Sequence, residues 1–458
     1  MSLTISFILG ISTLLLLISL SAAAASPIFH WTPTVAGLTD TNDVQALAAA
    51  PVPTTILYAG TWGDGVFCSM DHGATWQPAN TGITLPMYLQ GGLAMDPVTP
   101  TTLYAGDYYG GGLYRSADGG DSWSLSLPEA SIRAVAVHPV TSTIVLVGDR
   151  EEGLYRSADA GDTWTPITAT AGFTDTHVRA LDFAPAALNV AYAGASQFIF
   201  RSDDAGQTWA VTGTLPSSVH SLAVHPITPS LVYAGTFAHG LRRSADWGAN
   251  WTALDNGLPS DAWVTSLAIH PVTHTTLYAG TWDGQVYRST DGGDLWEGLG
   301  QLGYVHSVLV HPTAPSVIYA ATSNHGLFRG STLHHLAMDP VASPQFVEHA
   351  FPITITARDE LDFPLTGISG TQSATSAATL SVGRYDGTAT LADTTGTISP
   401  TLVTFVDGVA TTDVVITAPV ESGVITATIP GGPAVTSNPF DVVKEDFYVY
   451  LPVVIKAH

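Results

Sequence analysis

The chain has 458 residues, only 11% of them charged, and acids outnumber bases 38 to 14 for a formal net charge of -24 at pH 7. That length leaves room for more than one domain. A surface of this sign repels phosphate backbones, which argues against a nucleic-acid partner, and the single cysteine, Cys68, excludes an intrachain disulfide.

In chain order, the first feature is an apolar run from Phe7 to Leu20 followed by Ser21 and four alanines, with no ionisable side chain before Thr39 except His30. Residues 1–25 read as a secretory signal, with Ala23, Ala24 and Ala25 at the cleavage-recognition positions. An uncleaved anchor is the competing reading, because Leu3 to Ala25 is long enough to span a bilayer. Cleavage would leave no membrane span and an exported, secreted or cell-surface protein.

Six copies of an eight-residue phrase follow: SMDHGATW from Ser69, SADGGDSW from Ser116, SADAGDTW from Ser157, SDDAGQTW from Ser202, SADWGANW from Ser244 and STDGGDLW from Ser289. Their starts are 47, 41, 45, 42 and 45 residues apart, a period that marks a β-propeller with one four-stranded blade per repeat. Three strand signals precede each phrase. The first is an apolar run ending in a turn, as in Ile132 to His138-Pro139 or Val219 to His225-Pro226; the second is Tyr-Ala-Gly, as at Tyr58, Tyr104, Tyr192, Tyr233 and Tyr278; the third enters the phrase, as in Leu113-Tyr114-Arg115. A fourth, outer strand follows each Trp.

A seventh unit, Val305 to Ser331, carries Tyr319-Ala320-Ala321 and Leu327-Phe328-Arg329 but no eight-residue phrase. His30-Trp31-Thr32-Pro33 resembles the text Thr163-Trp164-Thr165-Pro166. The expected fold over 26–335 is therefore an all-β, seven-bladed propeller whose N-terminal strand closes the last blade, a closure that removes free sheet edges.

In each phrase a glycine permits positive φ, Asp and Ser can bond turn amides, and Trp plugs the seam between sheets. Asp71, Asp118, Asp159, Asp204, Asp246 and Asp291 lie one per blade and cannot converge, so they read as structural, with no metal site and no cofactor expected. The recurring His-Pro steps and the Arg before each phrase read as framework too.

The phrase and the Tyr-Ala-Gly strand together resemble the BNR or Asp-box family, which includes sialidases, xyloglucanase-type glycoside hydrolases, sortilin-like receptors and photosystem II assembly factors. The resemblance is specific for the fold and not for activity. A sialidase, as the resemblance would imply, needs three converging arginines. Six of the ten arginines in the ring occupy the repeat position, which leaves Arg133, Arg150, Arg179 and Arg242, and no Phe-Arg-Ile-Pro motif is present.

Glycoside hydrolysis requires two facing carboxyl groups. Carboxylates expected on the face opposite the boxes are Asp64, Asp107, Asp149, Glu151, Glu152, Asp175, Asp261 and Asp283. The same loops carry Trp62, Tyr88, Tyr108, Tyr109, Phe237, Trp263, Trp282 and Tyr304, aromatics suited to stacking on sugars or anchoring a protein, or to capping the central channel. The expected binding face comprises these aromatics with Asp64, Asp107, Asp261 and Asp283, and no catalytic residue is assigned. Residues 336–443 turn to Thr, Val, Ala and Ser with alternating strands, as expected of a β-sandwich. Phe351 to Asp359 with Leu365-Thr366-Gly367, and Ser437 to Val442, resemble the first and last strands of bacterial Ig-like domains of the invasin type. The tail, 444–458, contains Tyr448 to Ile455, too short to span a membrane.

The expected function is that of an exported, non-enzymatic binding protein for a glycan or an extracellular protein. The alternatives are a secreted glycoside hydrolase of the xyloglucanase type and an assembly factor for a membrane complex.

Overall fold

The computed structural model describes residues 29–38, 43–50, 56–365 and 388–443, apart from positions 324, 333, 344, 347, 407, 419 and 431. The signal segment, Thr366-Gly367 and the tail lie outside the described residues. The regular elements among them are β-strands, with one short 3-10 turn at Ala169–Ala171. No helix among them is long and apolar enough to cross a membrane.

Residues 29–332 form seven antiparallel sheets of four strands, the first with a short fifth strand, Met87–Tyr88, added to Leu57–Gly63. The third is representative: Ile132–Val137, Val145–Asp149, Leu154–Ser157 and Thr165–Ile167 pair in that order from the axis outward. Its innermost strand alternates buried and half-buried residues, whereas Val145–Asp149 is buried along its whole length. The difference follows from position, since the second strand is covered on both faces by neighbouring sheets.

Adjacent sheets interlock through repeated parts. Tyr58, Tyr104 and Tyr233 each donate a hydroxyl hydrogen bond to a carbonyl in the following box turn, at Gly119 (2.7 Å), Ala160 (2.8 Å) and Gly292 (3.0 Å). Two of the arginines before the boxes reach the same turns: Arg115 pairs with Asp162 at 2.6 Å and Arg243 with Asp294 at 2.7 Å. The glycine of the second strand is set by close packing. A Cβ on Gly148 would lie 2.5 Å from a methyl of Val178, the first residue of the next inner strand.

The last of the seven sheets has the order Phe29–Pro33, Gly326–Thr332, Val317–Thr322, Val305–Val310, so the N-terminal strand supplies its outer edge. Trp31 is buried there, and its indole N–H donates to the Leu299 carbonyl at 3.0 Å. The ring closes on the first sheet through Val44–Ala49 beside Val305–Val310 and through Tyr319, whose hydroxyl donates to the His72 carbonyl at 2.7 Å.

A second set of sheets begins at His335–Met338, which pairs with Phe351–Arg358. Three sheets enclose one core that includes Ile353, Ile355, Leu391, Phe405 and Phe440. The hairpin after Phe351–Arg358 returns to the ring. Asp359, fully buried, lies 2.8 Å from Arg329 and accepts from Ser331 at 3.2 Å, while the Arg329 guanidinium sits 3.8 Å from the centroid of the Phe363 ring.

Candidate functional site

Antiparallel order puts the box turns at one end of six of the seven ring sheets, and at the other end the hairpins between second and third strands together with the connections between sheets. The box end is chemically saturated. Ser157 donates to Asp159 Oδ1 at 2.7 Å and accepts from the Gly161 amide at 2.8 Å, while Asp159 takes the Thr163 amide (2.8 Å) and hydroxyl (2.6 Å). Bonds of this kind, the Thr163 hydroxyl foremost, hold the Asp159 carboxyl down to about 2, and the equivalent bonds do the same for Asp118 and Asp246. The same pattern recurs at Asp71, Asp204 and Asp291.

At the opposite end the inner strands share an irregularity that creates a site. In six of the seven, the pairing slips by one residue just after the first position, at Val44/Ala46, Ile132/Ala134, Val178/Ala180, Val219/Ser221, Val264/Ser266 and Val305/Ser307. Such a bulge leaves one residue unpaired and re-aims its side chain. The skipped residues are Gln45, Arg133, Arg179, His220, Thr265 and His306, and all six line a single cavity of about 460 Å³. The second sheet contributes Gln90 and Gly91. Gly91 has φ +82°, and a Cβ there would lie 2.8 Å from the Arg133 carbonyl oxygen, so this sector of the ring is left without a side chain.

Two aromatic groups flank the cavity. Trp62, Tyr88, Tyr108 and Tyr109 form one, with ring centroids 4.9 to 5.6 Å apart. Phe237, Trp263, Trp282 and Tyr304 form the other: Trp263 stacks on Trp282 at 4.3 Å, and Trp282 on Tyr304 at 5.0 Å. Of the eight aromatics expected on this face, Tyr108, Phe237, Trp263 and Trp282 line the axial cavity. Tyr88 and Tyr109 instead line a neighbouring cavity of about 400 Å³ together with Asp107.

The expected carboxylates are differently placed. Asp107 accepts the backbone amides of Tyr88, Tyr109 and Gly111, and Asp149 those of Ser131, Glu151 and Glu152. Both are buried loop caps. Asp175 holds the His177 amide and the Ser196 hydroxyl. Asp261 and Asp283 are exposed, and the backbone of Asp64 bridges to Met87. Among the described residues, no Asp or Glu lines the axial cavity.

Its titratable groups are basic. Arg133 donates to the Tyr108 hydroxyl at 2.5 Å, and the guanidinium groups of Arg133 and Arg150 each lie 4.9 Å from the Tyr108 ring centroid. Burial, and then the neighbouring Arg133, draw Arg179 below its ordinary pKa. Burial with Arg179 and Arg133 pushes His220 down to about 3, and burial pushes His306 down to about 4, so both imidazoles are neutral at pH 7. Around His306, Gln45 donates to Asp43 at 2.6 Å and Ser323 to Asp43 at 3.0 Å. The Ser323 hydroxyl also contacts His306 Nε2 and so sits between imidazole and carboxylate. In a nucleophilic triad the imidazole stands between the other two.

Sequence reasoning missed Gln45, Gln90, His220, Thr265 and His306, and noted Arg133 and Arg179 only as arginines outside the repeat position. The signal was present. The residue after the first Val or Ile of each inner strand changes from repeat to repeat while the one before it stays Val or Ile and the one after it Ala or Ser, and that variation marks the lining of the axis.

Neither a protein-family model nor a curated protein sequence matches the chain. Solved structures do resemble it. A GH74 enzyme from Niastella koreensis matches with 16% identity over 70% of this chain and 59% of its own, at a TM-score of 0.52. The GH74 xyloglucanase from Xanthomonas campestris matches with 18% identity over 75% and 62%, at 0.53. YCF48 from Cyanidioschyzon merolae matches with 12% identity over 66% and 98%, at 0.51. This chain therefore spans about three fifths of the length of the GH74 structures. At these identities the likeness shows the fold: the closed array of four-stranded sheets is a β-propeller.

Proposed function

We propose that the protein is an exported, non-enzymatic binding protein: a seven-bladed Asp-box propeller over 26–335, followed by an Ig-like spacer over 336–443. Its ligand is a glycan or an extracellular protein, taken on the face opposite the boxes. The observation that carries this reading is the composition of the axial cavity, which combines aromatic faces with Arg, Gln, Thr and His side chains and has no carboxylate among its lining residues. Concave, aromatic-lined sites with a few polar groups are the usual form of a ligand site. Hydrolysis of a glycosidic bond would need two facing carboxyl groups, and Asp107 and Asp149 are already spent on loop amides.

The test is a glycan array run beside a polysaccharide hydrolysis screen. Binding without reducing-end release, weakened by Trp263→Ala, is the expected result. Reducing-end release abolished by substituting a single carboxylate would sink the binding-only reading in favour of the hydrolase.

A further inference from the structure

Resting on the binding reading above, we propose that the sector of the axial cavity formed by Gly91, Arg133 and Arg179 is an anion subsite, and that it takes the carboxylate of a sugar acid of the hexuronate kind.

The arginines make the case by contrast. Of the eleven arginines among the described residues, seven lie within 4.0 Å of a carboxylate. Arg156 and Arg242 donate to backbone carbonyls instead. The two that remain, Arg133 and Arg179, are the two that line the axial cavity. Arg133 donates only to the Tyr108 hydroxyl, Arg179 makes no hydrogen bond among the described residues, and the Nε atoms of both are buried without an acceptor. A partly desolvated guanidinium without a partner is unfavourable, and an anion supplied by a ligand relieves it. Among the described residues no carboxylate comes within 4.0 Å of this pair, and Asp175, the acid that acts on Arg179 from farther away, is held by the His177 amide and the Ser196 hydroxyl. Gly91 supplies the room, because the ring position beside Arg133 carries no side chain.

Charge alone does not describe the wall. Gln45 and Gln90 each have a buried amide oxygen without a donor, and Trp263 a buried indole N–H without an acceptor. The Gln45 nitrogen is held by Asp43, so the orphaned atom is an acceptor. A bare inorganic anion would satisfy the arginines and leave these groups unmet, whereas a neutral sugar would do the reverse. A uronate ring carries the carboxylate, the hydroxyls and an apolar C–H face for Trp263, Trp282 or Phe237. Guanidinium also matches carboxylate geometry in a bidentate manner.

Calorimetric titration of the full chain with a galacturonic acid tetramer, a neutral cello-oligosaccharide of equal length and a glutamate-rich peptide tests this. The acidic saccharide is expected to bind more tightly than the neutral one and to weaken with added salt. Arg179→Gln should lower its affinity about tenfold or more without changing the melting temperature, and Arg179→Lys should restore part of the loss. Equal binding of both saccharides, indifferent to Arg179→Gln, would overturn the anion subsite and leave the binding reading intact. Arg179-dependent capture of the peptide in place of either saccharide would overturn the assignment to a sugar acid. Failure of the acidic saccharide to bind overturns the sugar-acid subsite, whereas the binding reading itself stands or falls on the glycan array.

Discussion

Six of the seven ring sheets and the remaining one meet the same demand by different means. In the six, an octapeptide between the third and fourth strands closes the turn, satisfies its own amides and presents an acceptor to the preceding sheet. The sheet ending in Gly326–Thr332 has no such phrase. Its outer strand comes from Phe29–Pro33 and its turn chemistry from the hairpin after Phe351–Arg358. The correspondence extends to individual bonds. Asp159 Oδ1 accepts the amide four residues on, at 2.8 Å, and Asp359 Oδ1 accepts that of Phe363 at 3.0 Å. A serine hydroxyl donates to each carboxylate, Ser157 to one and Ser331 to the other. The lesson is that the seam requires an Asp-capped loop next to the serine and arginine, whichever part of the chain provides it.

Four measurements can break or sharpen this comparison. The largest effect is expected from removing residues 26–38, which strips the outer strand from one sheet and uncovers the core that Phe29 and Trp31 fill; loss of a cooperative melting transition is the outcome, and unchanged melting would refute closure by the N-terminal strand. Next, Asp359→Ala leaves Arg329, 5% exposed, as an uncompensated buried charge and should cost about 3–5 kcal/mol in a denaturant titration. A loss below that of any box variant would show that the C-terminal hairpin is not a substitute box. Ser157→Ala orphans the Gly161 amide within a single box, and a smaller loss of about 1–3 kcal/mol follows, with ligand binding retained. The smallest effect is on pH dependence. Burial holds His220 near 3 and His306 and His311 near 4, below about 6.5 for the unfolded chain. The unfolded state therefore binds more protons between these values, and stability should decline as pH falls from about 6.5 towards 4. His220→Gln should flatten the midpoint-against-pH curve over that window, whereas a box variant such as Ser157→Ala should leave its slope there unchanged.

Much of the ring is legible in the sequence because its repeated parts act locally. A Tyr-Ala-Gly strand, a box turn and a Trp after it announce themselves by composition and spacing. The axial cavity is not legible in the same way. Its lining residues stand between small or apolar neighbours, as in Val178-Arg179-Ala180 and Val219-His220-Ser221, where a polar residue resembles an ordinary outward-facing strand position until the bulge turns it to the axis. The carboxylates misled for the opposite reason. Asp107 and Asp149 stand at loop tips and suggest chemistry, yet the hairpins consume them as caps. The role of Asp359 was hidden by distance, because it acts 28 residues after Ser331 from a segment with a different composition.

The outer strand Phe29–Pro33 pairs with Phe328–Thr332, a partner made roughly 300 residues later. At ribosomal rates of about 5–20 residues per second, some 15–60 s separate the two. For that interval the strand has no edge to join, and its Phe29 and Trp31 side chains must wait in solvent or in the hands of a chaperone. The ring thus cannot seat its first strand until the chain has been made through Thr332, so its closure belongs to the complete array.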